Sequence, residues 1–214
     1  MKIRKTLRGI ILVLCMMCLV VSSVQPVQAK KFNKTTAKKN ISVTYKVAPN
    51  GILAIYKNKN KVAVKLSATM LFLDADGKSI SKEKQINYCL SAKSNGAMFF
   101  VAPMDESGNT IKYTSYKSSF SVAKSSYKGY NKKISISSDL KVISGNFAAI
   151  NMSGKTLSTI RATVAFYDST NHLVLCRTKY LNCTDMNSID QFTIDYPDDI
   201  NSPTKAVVYV DWAY

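Results

Sequence analysis

Two segments of this chain share one pattern, and this internal repeat limits the possible folds more than any other feature. Residues 66–77 read LSATMLFLDADG, and residues 160–171 read IRATVAFYDSTN. In both segments every second residue is apolar, a period that predicts a β-strand with one face on a core. Asp76-Gly77 and Asn171 are typical of tight turns, because Gly and Asn both tolerate positive φ. The sequence therefore predicts a strand and its hairpin turn, present twice.

The similarity extends beyond these segments at a constant offset of 94 residues, without a gap, from residue 51 to residue 103. A period of this length is the size of a domain, whereas solenoid repeats are about 20 to 50 residues long. We therefore expect tandem copies of one domain. The identical pairs at this offset are Gly51 and Gly145, Ala54 and Ala148, Lys61 and Lys155, Ala68 and Ala162, Thr69 and Thr163, Phe72 and Phe166, Asp74 and Asp168, Cys89 and Cys183, and Pro103 and Pro197.

Each copy is expected to be an antiparallel β-sandwich. About seven short segments per copy are separated by turn residues, and no segment has a convincing helical period. The predicted fold class is all-β, with two tandem antiparallel immunoglobulin-like β-sandwich domains after a signal peptide. In the first copy we expect separate strands after Gly77 and at residues 85–91, and a last strand at residues 110–116.

The chain divides by composition into five regions. Residues 1–29 combine a cationic start, an apolar run and small residues before a cleavage point, as in a signal peptide. Residues 30–40 are polar and cationic and are expected to form a loose basic arm. The first sandwich is predicted at residues 41–118, a flexible Ser- and Tyr-rich linker at 119–132, and the second sandwich at 133–214, although Phe120 and Val122 could complete the last strand of the first sandwich. We expect a secreted, cell-wall-associated protein without a transmembrane segment after cleavage.

Positive charge is concentrated in the first half of the exported chain. The net charge of +17 falls to +13 when the four cations of residues 1–29 are set aside. Residues 30–120 hold 16 lysines and 5 acidic residues, whereas residues 121–214 hold 10 cations and 8 acidic residues. Such a charge attracts polyanions, such as anionic wall polymers, in the absence of a shaped site. It also fits a surface filled with lysine for solubility alone.

One lysine cluster is the strongest candidate binding site. Lys57, Lys59, Lys61 and Lys65 lie in and beside one predicted turn, next to Tyr56. Side chains that converge there could hold a polyanion, although such a run is also typical of a hydrated turn. Replacing all four lysines by Ser should weaken polyanion binding if the cluster is the site.

The residues needed for catalysis, metal binding or cofactor binding do not form a pattern in the sequence. His172, the only histidine, lies in a predicted turn, and a general base needs a positioned partner and a nucleophile. Residues 74–77 resemble the start of a calcium loop but lack its later acidic ligands, which favours a structural turn. We therefore expect no enzymatic activity, no cofactor and no metal site.

Three cysteines follow the signal peptide. Cys89 and Cys183 occupy matching positions in the two copies and are expected to be buried as small apolar residues. Cys176 precedes Cys183 by seven residues, so a local disulfide is possible in an exported chain.

The strand that ends in Phe72-Leu73-Asp74, and its counterpart ending in Phe166-Tyr167-Asp168, resembles the FxLYD-type domain of secreted bacterial proteins. The resemblance covers residues 51–103 and 145–197. It implies small extracellular β-sandwich modules and supplies no catalytic residues.

Two functions fit these observations. The first is a non-enzymatic binding or spacer protein whose basic first domain contacts an anionic cell-envelope polymer. The second is an extracellular protein-interaction module that uses an exposed strand edge or the linker. Neither requires specific nucleic-acid binding. Salt separates them, because polyanion binding weakens steeply with ionic strength.

Overall fold

The computed structural model describes residues 31–198, 200 and 203–214, and the predicted signal peptide lies outside them. Residues Asn33–Tyr214 form one compact unit. No helix within the described residues has the length and apolar character needed to cross a membrane.

Six strands form the first sandwich. They are β1 (Ile41–Ala48), β2 (Gly51–Asn58), β3 (Val64–Leu73), β4 (Ser79–Leu90), β5 (Asn95–Val101) and β6 (Ser115–Lys124). One sheet has the order β1-β2-β5 and the other β4-β3-β6, with every pair antiparallel. A short helix, α1 (Lys34–Lys39), precedes β1 and packs on β6, where Lys38 Nζ lies 5.1 Å from the centroid of the Phe120 ring.

The second sandwich repeats this topology. Its strands are β7 (Ile134–Leu140), β8 (Ser144–Asn151), β9 (Ile160–Tyr167), β10 (Leu173–Leu181), β11 (Ile189–Asp195) and β12 (Lys205–Ala213), after a 3₁₀ turn at Asn131–Lys133. The sheets have the orders β11-β8-β7 and β10-β9-β12. In both sandwiches the second strand pairs with the fifth and the third with the sixth, as strands B with E and C with F do in immunoglobulin domains. The all-β sandwich prediction is confirmed, with six strands per copy instead of seven.

The repeated segment forms the central strand of its sheet in each sandwich. In β3 the burial alternates, and Leu66, Met70 and Phe72 are fully buried on the core side. In β9 the equivalent positions Ile160, Val164 and Phe166 lie in the core of the second sandwich. The period of two therefore correctly identified the core face of both strands.

The two sandwiches pack against each other through the outer faces of two sheets. Leu53 and Phe99 of the β1-β2-β5 sheet share one buried apolar cluster with Ala165, Tyr167 and Cys176 of the β10-β9-β12 sheet. Every residue of β9 is consequently buried, one face in its own core and the other against the first sandwich. This packing replaces the flexible arrangement that the sequence predicted.

Several predicted boundaries are wrong. Strand β4 is continuous, because its whole length pairs with β3. The last strand of the first sandwich is Ser115–Lys124 and not 110–116, so residues 119–124 belong to β6 and not to the linker. The rest of the linker is fixed to the C-terminal end of the second sandwich. The Tyr127 and Tyr214 rings stack with their centroids 3.9 Å apart, and the Tyr130 amide donates a hydrogen bond to the Ala213 carbonyl. Within the predicted arm, Asn33 caps α1, because its side chain accepts a hydrogen bond from the Thr36 amide.

The repeat also contains an insertion that the gapless match missed. Gly51 pairs with Val101 in the first sandwich, whereas Ser144, and not Gly145, pairs with the equivalent Asp195. Strands β2 and β8 therefore match at an offset of 93, and the turn after β8 has one residue more than the turn after β2. The pairs Gly51 with Gly145, Ala54 with Ala148 and Lys61 with Lys155 are each displaced by one residue.

The corrected offset aligns two buried asparagines, Asn58 and Asn151. The Asn58 amide nitrogen donates to the backbone carbonyls of Val62, Leu90 and Ser91, at 2.9 to 3.1 Å. Asn151 donates in the same way at 2.9 to 3.0 Å, to the carbonyls of Lys155, Thr184 and Asp185. Each side chain therefore connects the turn between the second and third strands of its sandwich to residues at or just after the end of the fourth strand.

Candidate functional site

The four lysines of the predicted cluster do not form one surface. Lys57 lies on the face of β2 that carries Leu53 and Ile55, which points toward the second sandwich. Lys65 lies on the opposite side of the first sandwich, where its Nζ is 5.2 Å from the centroid of the Tyr88 ring. Lys59 and Lys61 are exposed in the turn between these strands. The outer faces of two packed sheets point in opposite directions, so strand pairing separates the ends of the cluster.

Strand pairing instead brings together lysines that are distant in the sequence. Lys82 of β4 and Lys117 of β6 both lie opposite Leu71 of β3, and Lys84 lies opposite Thr69 on the same face. With Lys65, these residues form a basic outer face of the β4-β3-β6 sheet, which we call the lysine face (Lys65, Lys82, Lys84 and Lys117). Adjacent strands are about 4.8 Å apart, so Lys82 and Lys117 start about 10 Å from each other.

No carboxylate interrupts the lysine face. Glu83, the acidic residue of β4, pairs with Met70 on the inner side of the sheet. Asp74 and Asp76 lie in the β3–β4 turn at the end of these strands. Across the described residues, none of the three ion pairs involves a lysine of the first sandwich. The positive charge of the lysine face is therefore available to an external anion.

The lysine face of the first sandwich is equivalent to the surface of the second sandwich that packs against the first. At the positions of Lys82 and Lys117, the second sandwich has Cys176 and Val207, which contact the first sandwich. The outer face of its other sheet is polar, with Asn146 at the position of Leu53 and Thr193 at that of Phe99. Polar outer faces stop further stacking, as capping repeats do in repeat proteins. Docking of the two copies thus leaves the lysine face on the outside.

A buried polar cluster fixes the contact between the sandwiches. Asp211 is an extra residue in β12, between Val210 and Trp212, and it is fully buried. Its carboxylate accepts hydrogen bonds from the Ala97 amide at 2.9 Å and the Thr163 hydroxyl at 2.7 Å. Its Oδ2 also lies 3.4 Å from Arg161 Nε. Burial raises the pKa of Asp211 to about 7, although Arg161, Thr163 and the Ala97 amide oppose the increase.

The backbone of Asp211 is also part of this cluster. Its carbonyl accepts hydrogen bonds from Asn87 Nδ2 at 2.6 Å and from Asn131 Nδ2 at 2.9 Å. Asn87 belongs to β4 and Asn131 to the 3₁₀ turn, so both sandwiches and the connecting segment meet at one residue. Buried polar groups that are all paired specify one arrangement of the elements around them. The members of this cluster are dispersed along the chain, so no local pattern in the sequence predicts it.

A cleft of about 400 Å³ opens beside this cluster, between the two sandwiches. Its position follows from the docking, because residues of β4, β5, β9 and β10 all contribute to it. Asn50 at its edge bonds the backbone of Cys176 twice, as donor to the carbonyl at 2.8 Å and as acceptor from the amide at 3.2 Å. The lining residues are Asn50, Gln85, Phe99, Val101, Met104, Arg161, Cys176, Arg177, Thr178 and Tyr180.

The two Asp-containing turns of the repeat are held by the same hydrogen bonds. Asp74 Oδ1 accepts from the amides of Asp76 and Lys78, at 3.1 and 2.8 Å. Asp168 Oδ1 accepts from the amide of His172 at 2.9 Å, and the His172 ring is exposed and contacts the Thr170 hydroxyl at 2.9 Å. These carboxylates therefore close hairpin turns. Among the described residues, no group of three or more His, Cys, Asp or Glu could hold a metal ion.

The three cysteines are free and buried. Cys183 lies in the core of the second sandwich and Cys176 in the cluster between the sandwiches, so the disulfide that the sequence allowed is not formed. The burial predicted for Cys89 and Cys183 is confirmed. Burial raises the pKa of the Cys176 thiol to about 12, so this side chain is neutral at physiological pH.

No protein-family profile and no curated protein matches the sequence. Among solved structures, a transglutaminase from red sea bream is similar over 88% of this chain and 32% of its own length. The sequence identity is 11% and the TM-score is 0.29, a likeness too low to bear on activity. The chain spans about a third of the length of that enzyme.

Proposed function

We propose that this protein is an exported, non-enzymatic binding protein that attaches to an anionic cell-envelope polymer through the lysine face. The observation that carries the proposal is the unbroken positive charge of that face, four lysines on three adjacent strands with no carboxylate among them. Lysine is a mobile point charge, which suits a flexible polymer of repeating phosphates better than a single rigid ligand. The exported location and the wall polymer are part of the proposal.

The arrangement of the repeats supports this choice of surface. In the second sandwich, Cys176 and Val207 pack against the first sandwich. Lysines occupy the equivalent positions of the first sandwich. A face that is basic where its counterpart is apolar is unsuited to packing against another sandwich. It is suited to a hydrated, charged partner, since basic surfaces steer anions at long range. The second sandwich would then act as a neutral extension of the binding domain.

Charge reversal on the lysine face should weaken polymer binding strongly. In a Lys82→Glu, Lys84→Glu, Lys117→Glu variant, affinity for purified teichoic acid should fall roughly 100-fold, at about 1 kcal/mol for each lysine near an anionic surface. Co-sedimentation with envelope fragments and calorimetry with the soluble polymer measure the loss. Affinity of the unaltered protein should also fall steeply as salt increases.

A matched variant separates position from net charge. Lys132→Glu, Lys133→Glu, Lys155→Glu changes the net charge equally but alters exposed residues of the second half. This control should retain most of the affinity. Equal loss in both variants would show that net charge alone drives binding and would contradict a site on the lysine face. Binding that resists salt in every variant would favour a protein partner at a strand edge instead.

A further inference from the structure

Arginine is nearly absent from this chain after residue 29, and the two arginines that occur line the same cleft. Residues 30–214 contain 24 lysines but only Arg161 and Arg177. Arg161 lies on the docking face of β9, and Arg177 of β10 pairs with Val164 on the other face of the sheet. The Arg177 side chain reaches back at the strand edge, where its Nη1 donates to the Cys176 carbonyl, and both arginines contribute to the cleft. Every other cationic residue after residue 29, apart from the single histidine, is a lysine. Arginine at these two positions therefore indicates a function of the side chain that lysine does not provide.

Arginine differs from lysine in three respects that matter here: it suits buried ion pairs, it stacks on aromatic rings and it recognises planar anions. A guanidinium group presents five N–H donors in a rigid fork that matches both oxygens of a carboxylate, whereas an ammonium group is a point charge. Neither fork is saturated within the described part of the chain. Arg161 makes a long hydrogen bond to Gln85 Oε1, at 3.4 Å, and the ion pair with Asp211. Arg177 donates once, to the carbonyl of Cys176 at 3.3 Å.

Arg161 is held in a fixed orientation. Its guanidinium carbon lies 4.5 Å from the centroid of the Trp212 ring, and its side chain is only 8% exposed. Gln85 is itself held by Glu83, because Gln85 Nε2 donates to Glu83 Oε1 at 2.6 Å. A fork that is ordered before the ligand arrives loses little entropy on binding. Asp211 and Glu83 both lie close enough to interact with the charge of Arg161. Arg177 makes no ion pair among the described residues, so its guanidinium is the charge that an external carboxylate would pair with.

Apart from Asn50 and Gln85, the first sandwich contributes apolar residues to the lining. Phe99 is buried, Val101 and Met104 are 42% and 51% exposed, and the second sandwich adds the exposed Tyr180. The neutral thiol of Cys176 would not repel an anion. A volume near 400 Å³ with an apolar wall and a few convergent polar groups is typical of small-molecule sites.

We propose that this cleft binds a small organic monocarboxylate that carries an apolar or aromatic group. The carboxylate contacts the Arg161 and Arg177 forks, and the apolar group lies against Phe99, Val101 and Met104. This site is separate from the lysine face, because Gln85 contributes to the cleft from the inner side of the β4-β3-β6 sheet and the lysines lie on its outer side. It therefore does not depend on attachment to an envelope polymer.

Trp212 is the only tryptophan of the chain and lies beneath Arg161, so its fluorescence is an internal probe of the cleft. We expect 3-phenylpropionate to cause a saturable change in emission, with a Kd of roughly 0.01–1 mM for a ligand of this size. The neutral alcohol 3-phenylpropanol and inorganic phosphate should cause none. Saturation-transfer NMR on the 3-phenylpropionate protons detects binding if the emission does not change.

The decisive variants alter Arg177, because the partly exposed Arg177 has no carboxylate to leave unpaired. Arg177→Gln should weaken 3-phenylpropionate binding at least tenfold, and Arg177→Lys should restore only part of it because lysine lacks the fork. The lysine-face variant should bind the probe as the unaltered protein does. Absence of saturable binding by both measurements, or equal affinity of Arg177→Gln and the unaltered protein, would overturn the proposal.

Discussion

Replacing Asp211 by alanine should lower the free energy of unfolding by about 3–5 kcal/mol. Because burial raises the pKa of Asp211 from 3.8 to about 7, the ionised carboxylate is less favourable in the folded protein, so the loss should become smaller as the pH rises from 4 to above 7. The substitution leaves the Arg161 guanidinium buried without its counter-charge. It also leaves the Ala97 amide and the Thr163 hydroxyl without their acceptor. Domains of this size have roughly 5–15 kcal/mol of stability, so a large part would be lost. Urea unfolding followed by Trp212 fluorescence measures the change.

The control for this prediction is an ion pair that is exposed. Asp139 Oδ2 lies 2.8 Å from Lys141 Nζ, and both side chains are more than half exposed. Exposed ion pairs contribute about 0–1 kcal/mol, so Asp139→Ala should lower the free energy of unfolding by less than about 1 kcal/mol. Equal costs for Asp211→Ala and Asp139→Ala would show that the buried cluster does not stabilise the docked arrangement.

Asn58→Asp and Asn151→Asp should each cost at least about 3 kcal/mol, although the two side chains have the same shape. The change replaces a donating NH₂ group with an acidic oxygen that faces three backbone carbonyls, in a site without solvent. The two variants should have similar costs, because the two sites are equivalent in the repeat. Thermal and urea unfolding, monitored by circular dichroism, provide the measurement.

Asn182 gives the comparison for these variants. Its side chain is exposed, and Asn182→Asp should change the stability by less than about 0.5 kcal/mol, as expected for ordinary surface substitutions. A loss below about 1 kcal/mol for Asn58→Asp would contradict the role assigned to its amide group. A large loss for Asn58→Asp alone would show that the two turns are not equivalent.

Local pattern was enough to predict the fold of each copy. The alternation in β3 and β9 identified the strands and their core faces, since the side-chain period of a strand is two. Alternation does not show what covers the second face of a strand. Thr163, Ala165 and Tyr167 of β9 are buried by the first sandwich, whereas Thr69 and Leu71 of β3 remain half exposed. Both sets of positions mix polar and apolar residues, so the sequence does not distinguish them.

The candidate sites were harder to predict, because strand pairing creates them. The four predicted lysines, Lys57, Lys59, Lys61 and Lys65, are close in sequence. The chain passes from one sheet to the other between β2 and β3, which separates Lys57 from Lys65. The lysine face combines β3, β4 and β6, whose mutual register depends on the turns between them. The scarcity of arginine was visible in the sequence, but only the docked sandwiches show that Arg161 and Arg177 share a cleft. The buried asparagines were hidden by a single inserted residue.

The proposed cleft depends on the docking of the two sandwiches, and the Ala97 amide reports on this docking directly. This amide donates to the Asp211 carboxylate across the interface, so only docking protects it from solvent. Native-state hydrogen exchange resolved at Ala97 should show protection close to that of the core strands. If the Ala97 amide exchanges as fast as an exposed strand edge while core amides stay protected, the sandwiches separate in solution. That result would contradict the account of the docked arrangement and of the cleft.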